Sequence, residues 1–170
     1  TVEYQEDDTI YEVPDYAKFI VYKSDLISDT IRHGEKWEPF LHDVFEKYVT
    51  QDSVVLEGGC HIGTHSVILS KLSRQLICFE PLKQSREILE KNLETNDCYN
   101  VEVSDFGLSD SIGSTSFSYV NNGNIGGAVL ENSDNGDIPL INIDSLKLSR
   151  LDFIKLDVEG YEKAAIIGGI

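Results

Sequence analysis

A chain of 170 residues is long enough for one domain with a buried core, and 41% apolar residues is the content of a globular protein, not of a disordered segment. Its formal net charge of -16 at pH 7 argues against a nucleic-acid partner, which needs a basic face to release counterions, and against an anionic membrane surface. The plain use of so much negative charge is solubility.

The acidic residues 1–9 are expected to fray. "YEVPDYAKFIVYKSD" then offers two short strand-like runs around Pro14. In "WEPFLHDVFEKYV" the apolar residues Trp37, Phe40, Leu41, Val44, Phe45 and Tyr48 recur at helical spacing. Pro39 suits the first turn of that helix, and Trp37 reads as a core anchor. From residue 53 the rhythm changes. "SVVLEGG" is a buried strand, "THSVILSKLS" a helix, "QLICFEP" a strand stopped by Pro81, "SREILEKNLETN" a helix, and "NVEVSDFGLSD" a strand with its exit loop. Strands alternating with helices predict an α/β fold with a mostly parallel sheet and right-handed crossovers.

Residues 113–139, rich in Gly, Asn and Ser, break the pattern. One strand is expected over 115–120, then a long loop whose residues 121–136 are a candidate lid over an acceptor. "PLINIDSL" is a short strand and a turn capped by Asp144. "LDFIKLDVEGYEKAAIIGG" is a buried strand ending in acids, followed by a helix start that Asp157 would cap. The organisation expected is an N-terminal segment over 1–36 and one globular domain over 37–170.

Cys60, Cys78 and Cys98 are odd in number and widely spaced, which points to a reducing, cytoplasmic setting without disulfides. Cys60 and Cys78 lie in apolar runs and should be buried thiols. No apolar run approaches the roughly 18 residues of a membrane span, and no leader pattern opens the chain.

The chemistry concentrates in "VVLEGGCHIGTHS". A dinucleotide fingerprint would need glycine at 58, 60 and 63, but Cys60 would crowd the approach of a pyrophosphate. The frame that fits is Glu57, Gly59, Gly63. Glu80, about 20 residues on, ends the second strand where a doubly wound fold places a carboxylate on ribose hydroxyls. Two carboxylates without a phosphate-binding cation suit a ribose-bearing cation, and S-adenosylmethionine is one. Asp105 ends the third strand, where it could take an adenine amino group with Phe106 on the ring. Asp157 and Glu159 follow the fourth. Four acids at four neighbouring strand ends would form one mouth.

Together "VVLEGGCHIGTHS", "CFEP", "FGLSD", "INIDSL" and "FIKLDVEGYEKAAIIGG" resemble the FkbM family of S-adenosylmethionine-dependent methyltransferases, from about Trp37 onward. The resemblance implies a Rossmann-like class I methyltransferase fold, with helices on both faces of the sheet, and O-methylation of a sugar, glycan or other small-molecule hydroxyl. Carried over by position, Glu57, Gly59, Gly63 and Glu80 bind the cofactor, and Asp157, with Lys155 and Glu159, faces the reacting centre. His61, Ser66, Pro81, Asp105 and Phe106 complete the cofactor set. The family's loop runs DxGANxG, so Glu57 stands for Asp, Cys60 for Ala and His61 for Asn. Asp157 is the first choice of base and His65 the second. A divalent metal on Asp157 and Glu159 is a lesser option, and His61 with His65 lacks a third metal ligand. The competing readings are a catalytically inactive cofactor-binding module and, further off, a dehydrogenase. Without [ND]PP[YF] after the fourth strand, amino methylation is disfavoured. Because "FIKLD" would be a bare sheet edge, three outcomes are expected: truncation after the fourth strand, an edge covered by the 115–143 strands or the N-terminal segment, or a homodimer.

Overall fold

The computed structural model describes residues 5–119, 128–132 and 136–169. The acidic N-terminus does not fray where it is described. β1 (Glu6–Val13) pairs antiparallel with β2 (Ala17–Tyr22), with a register shift between Asp7 and Ile10. The reason is the alternation in β2, which buries Ala17, Phe19 and Val21. α1 (Leu26–Arg32), which the sequence reading did not anticipate, begins where the Asp25 carboxylate accepts the Ser28 N–H at 2.9 Å. α2 (Pro39–Tyr48) starts at Pro39 as expected and buries His42 and Phe45. Trp37 is only partly buried and belongs to neither core cluster; Phe45 takes the anchoring place.

Next come β3 (Val54–Gly58), α3 (Thr64–Leu72), β4 (Gln75–Phe79), α4 (Lys83–Thr95) and β5 (Val101–Ser104). β6 (Gly107–Leu108), β7 (Gly113–Tyr119), β8 (Ala128–Asn132) and β9 (Ile138–Ile141) follow, then β10 (Phe153–Leu156) and α5 (Glu162–Ile167). The central sheet is fully parallel in the order β10-β3-β4-β5. Its two central strands, β3 and β4, are buried on both faces. Val55, Leu76 and Cys78 pack with α3, α4 and the N-terminal hairpin; Val54, Leu56, Ile77 and Phe79 pack with Leu108, Ile143 and Ala165 of α5. Helices therefore lie on both faces, as a Rossmann-like fold requires.

The second sheet runs β6-β9-β7-β8. β8 is a strand where the sequence reading placed only loop, and it pairs antiparallel with β7 from Thr115 opposite Asn132 to Tyr119 opposite Ala128. Part of the expected lid is thus sheet, and its residues 121–127 and 133–135 lie outside the described residues. Two expected caps are replaced. The 3-10 turn Ile143–Leu146 is capped by Asn142, not Asp144, through the Ser145 N–H at 2.9 Å. The turn before α5 is held by Glu162, not Asp157: its carboxylate accepts the N–H groups of Val158 at 3.0 Å and Gly160 at 3.1 Å.

Among the described residues β10 pairs on one side only, with β3. The second sheet hydrogen-bonds elsewhere and the hairpin docks on α4, so among the described residues neither expected cover pairs with this edge. A groove of about 390 Å³ runs beside it, lined by Leu41, Val44 and Phe45 of α2 and by β10 itself.

Candidate active site

The loop after β3 turns back on itself through three left-handed residues, Gly59 (φ 76°), His61 (φ 50°) and Gly63 (φ 87°). Gly59 is required twice over. Besides its φ, a Cβ there would stand 1.8 Å from the Asp157 carbonyl oxygen, because the loop lies directly on the exit of β10. His61 explains itself in the same terms: among non-glycine residues, Asn, Asp and His are the ones enriched in left-handed backbone, so His can stand where the related loops carry Asn.

Glu80 clamps this loop. One carboxylate oxygen accepts the His61 N–H at 2.7 Å and the other the Leu82 N–H at 2.9 Å. Burial raises its pKa to about 7, against the opposing pull of those two hydrogen bonds. The His61 ring lies 5.7 Å from the Tyr22 ring, its nitrogens buried without a hydrogen bond, and burial lowers its pKa so that it is neutral.

Beneath the loop, Lys155, Glu57 and Cys78 stand side by side across β10, β3 and β4. Glu57 is fully buried. It accepts the Ser66 hydroxyl at 2.6 Å on Oε2, and its Oε1 lies 3.4 Å from Lys155 Nζ. Lys155 also donates to the Gly59 carbonyl at 3.3 Å and lies 3.8 Å from Asp157 Oδ2. Burial works against the Lys155 charge, but Glu57, Cys60 and Asp157 outweigh it and hold its pKa above the ordinary lysine value. Burial pushes the Glu57 carboxyl up, while Lys155 and Ser66 pull it back.

Asp157 and Glu159 are exposed at the β10 exit, and Asp105 is exposed at the β5 exit. Phe106 packs partly on the core of the second face, and the Pro81 carbonyl accepts from Arg86 at 3.1 Å. His65 is turned inward, into an aromatic layer with Phe45 at 5.5 Å and His42 at 6.0 Å between ring centres. Burial, then Lys155 and His42, lower its pKa to about 3, so it is a neutral imidazole. The structure therefore gathers Glu57, Ser66, Gly59, Lys155 and Asp157 into one connected set. Glu80 with His61 forms a second, and His65 sits behind both. Among the described residues Asp157 and Glu159 gain no third metal-type ligand, nor do His61 and His65.

Sequence reasoning missed Asn92. This buried side chain on α4 donates to the Ile62 carbonyl of the loop at 2.8 Å and to the Ile20 carbonyl of β2 at 2.9 Å. The available signal was a polar residue inside the apolar stripe of Ile88, Leu89 and Leu93.

The sequence profile of the FkbM methyltransferase domain matches residues 58–170. No curated protein matches the chain. Among solved structures, an rRNA methylase from Streptococcus thermophilus is 20% identical with a TM-score of 0.39, over 40% of this chain and 41% of that one. A Streptococcus mutans protein assigned as a methyltransferase and solved with SAH is 22% identical with a TM-score of 0.39, over 41% of this chain and 39% of that one. The M. jannaschii tRNA m1G37 methyltransferase is 18% identical with a TM-score of 0.43, over 57% of this chain and 30% of that one. The matched stretch thus spans about two fifths of the first two chains. The profile match begins at Gly58, takes in the left-handed loop, Glu80 and the β10 exit, and continues through α5, so the chain belongs to the FkbM methyltransferase family.

Proposed function

We propose that the chain carries the cofactor and reaction site of an S-adenosylmethionine-dependent O-methyltransferase acting on a hydroxyl of a sugar, glycan or other small molecule. The observation that carries this reading is Asp157: an exposed carboxylate at a strand exit, beside Lys155 and with its own backbone packed on the glycine loop. The fit to the cofactor rests on that loop. Left-handed Gly59 and Gly63 let it pack tightly on the Asp157 carbonyl and on Leu89, and each Glu80 oxygen accepts only one N–H and keeps a free lone pair. Gly59, Gly63, Glu80 and Asp105 would hold the nucleoside end, with His61, Ser66, Pro81 and Phe106 shaping the loop and its rim. Bound S-adenosylmethionine supplies an electrophilic methyl group on a sulfonium. Asp157 would accept the proton of an acceptor hydroxyl held in line with that methyl group, and Lys155 would hold Asp157 in place. A divalent metal on Asp157 and Glu159 is the lesser route to the same deprotonation.

A formal charge of -16 speaks against RNA acceptors such as the two RNA methyltransferases act on. Three free thiols fit a reducing compartment, and no helix among the described residues is long and apolar enough to cross a membrane. A second reading, an inactive cofactor-binding module, draws on the burial of both Glu57 and Glu80 against protein partners. Calorimetric titration with S-adenosylmethionine, followed by labelled-methyl transfer to a hydroxyl panel, separates the two. Heat and transfer in the native chain, with Asp157→Ala keeping the heat and losing the transfer, support the enzyme. Heat without transfer supports the module, and no heat from folded protein removes both.

A further inference from the structure

We propose that Glu57, Cys60 and Cys78 form a buried site for a thiophilic divalent cation of the zinc class, set directly behind the glycine loop. One carboxylate oxygen and the two Sγ atoms lie within 4.8 Å of one another. Cys78 Sγ is 4.0 Å from Glu57 Oε2, and Cys60 Sγ is 3.4 Å from the Glu57 carbonyl. All three residues are buried, and both cysteines are free thiols. A second observation concerns the carboxylate itself: Glu57 Oε1 is buried without a hydrogen bond, its ion-pair partner Lys155 Nζ standing at 3.4 Å. Three protein ligands of two sulfurs and one oxygen match the donor set zinc accepts, in which a fourth position stays open.

Charge bookkeeping is consistent with occupancy. Binding releases the two thiol protons to solvent, leaving two thiolates and a carboxylate. Their three negative charges meet two positive charges on the cation and one on Lys155, so the buried cluster is neutral. Both cysteines are free, so no disulfide occupies either sulfur. Nor does any related feature of the loop demand a thiol here, since Ala serves in the resembling sequences. The cation would tie the loop to β3 and β4 from behind. This site stands whether or not methyl transfer does.

The test is a titration of the reduced, metal-free chain with cadmium ion, read by thiolate-to-metal charge-transfer absorption and by melting temperature. The expected result is saturation at one ion per chain with a rise in melting temperature. Cys60→Ala and Cys78→Ala should each lose the absorption, while Cys98→Ala keeps it, because its Sγ sits apart near the Val67 carbonyl at 3.9 Å. No absorption change in the native chain, survival of the band in both variants, or its loss in Cys98→Ala would each overturn the proposal. Should the variants not fold, X-ray absorption on the unsubstituted cadmium-loaded chain decides: two sulfur neighbours support the site, and nitrogen and oxygen neighbours alone refute it.

Discussion

Lys155 is a buried cation with three oxygen neighbours, Glu57 Oε1, the Gly59 carbonyl and Asp157 Oδ2, and its energetics follow from which partner is removed. Glu57→Gln leaves an ammonium in the interior without its main counter-charge, and Lys155→Met leaves a bare carboxylate. Each is expected to lose about 3–5 kcal/mol of stability, whereas the double variant, which leaves no unpaired buried charge, should recover part of the loss, the buried glutamine amide keeping a desolvation cost of its own. Urea denaturation of the four proteins measures the coupling, and additive losses would show that the pair does not act as a unit. Glu80 gives a pH signature. Its folded pKa of about 7 lies above the ordinary 4.5, so the folded chain holds a proton that the unfolded chain has lost. Its contribution to stability is full below the unfolded value and is lost as pH rises through about 7, on the order of 3 kcal/mol in all. His65, with its folded pKa lowered to about 3, slopes the opposite way below its ordinary 6.5. The difference between the native chain and Glu80→Gln cancels that term, and this difference should shrink as pH rises from 5 to 8. A flat difference would refute the buried-acid assignment. The positions of Glu57, Glu80 and Asp157 at strand ends were legible in the sequence. That Glu57 turns inward to Ser66 and Lys155 was not, because a strand pattern gives the face a residue occupies and not the partner it finds there.

Two elements far apart in sequence are joined by a device that no local pattern encodes. Asn92 on α4 and Asn96, one turn on at its C-terminal cap, pair with alternate residues of β2. The Ile20 N–H donates to Asn92 at 2.7 Å and the Lys18 N–H to Asn96 at 3.0 Å, and the two side-chain amides return hydrogen bonds to the Ile20 and Lys18 carbonyls. The two amides behave as a short strand laid along the free edge of β2, and they satisfy backbone groups that would otherwise be left open. Because Asn92 also holds the Ile62 carbonyl, the hairpin and the glycine loop share one buried side chain. Asn92→Leu should therefore destabilise the chain by at least about 1–3 kcal/mol, with the Ile20 amide losing hydrogen-exchange protection. Asn96→Ala, at the more exposed end, should be milder, and equal effects would argue against the shared anchor. The helices and strands from residue 53 to 104 were legible because short continuous apolar runs, stopped by Glu and Gly or by Pro81, alternate with longer helix-forming segments. α1 was not, since its 7 residues bury only Ser28 and Ile31. Nor was β8, a five-residue run inside a Gly- and Asn-rich stretch.

For the whole molecule, charge and topology act together. Lys and Arg number 14 against 30 Asp and Glu, and several of the few cations are already committed to local pairs: Lys155 to Glu57, Lys91 to Glu6, Arg150 to Asp152. The rest of the surface is a net repulsive field that the compact state concentrates and the unfolded chain relaxes. Its range shortens from about 30 Å at 0.01 M salt to about 8 Å at 0.15 M. Exposed pairs such as Lys83 with Glu87 and Arg150 with Asp152 also weaken with salt, but pairs of that kind contribute at most about 1 kcal/mol. The buried Lys155–Glu57 pair is screened little, because ions do not reach it. Repulsion therefore outweighs the attraction that salt removes, and the melting temperature should rise between these two salt concentrations in sodium chloride. A fall would mean that attractive surface pairs dominate and that the acidic excess is spaced widely enough not to matter. The same measurement on Glu57→Gln should give the same rise, since the pair it breaks lies beyond the reach of salt.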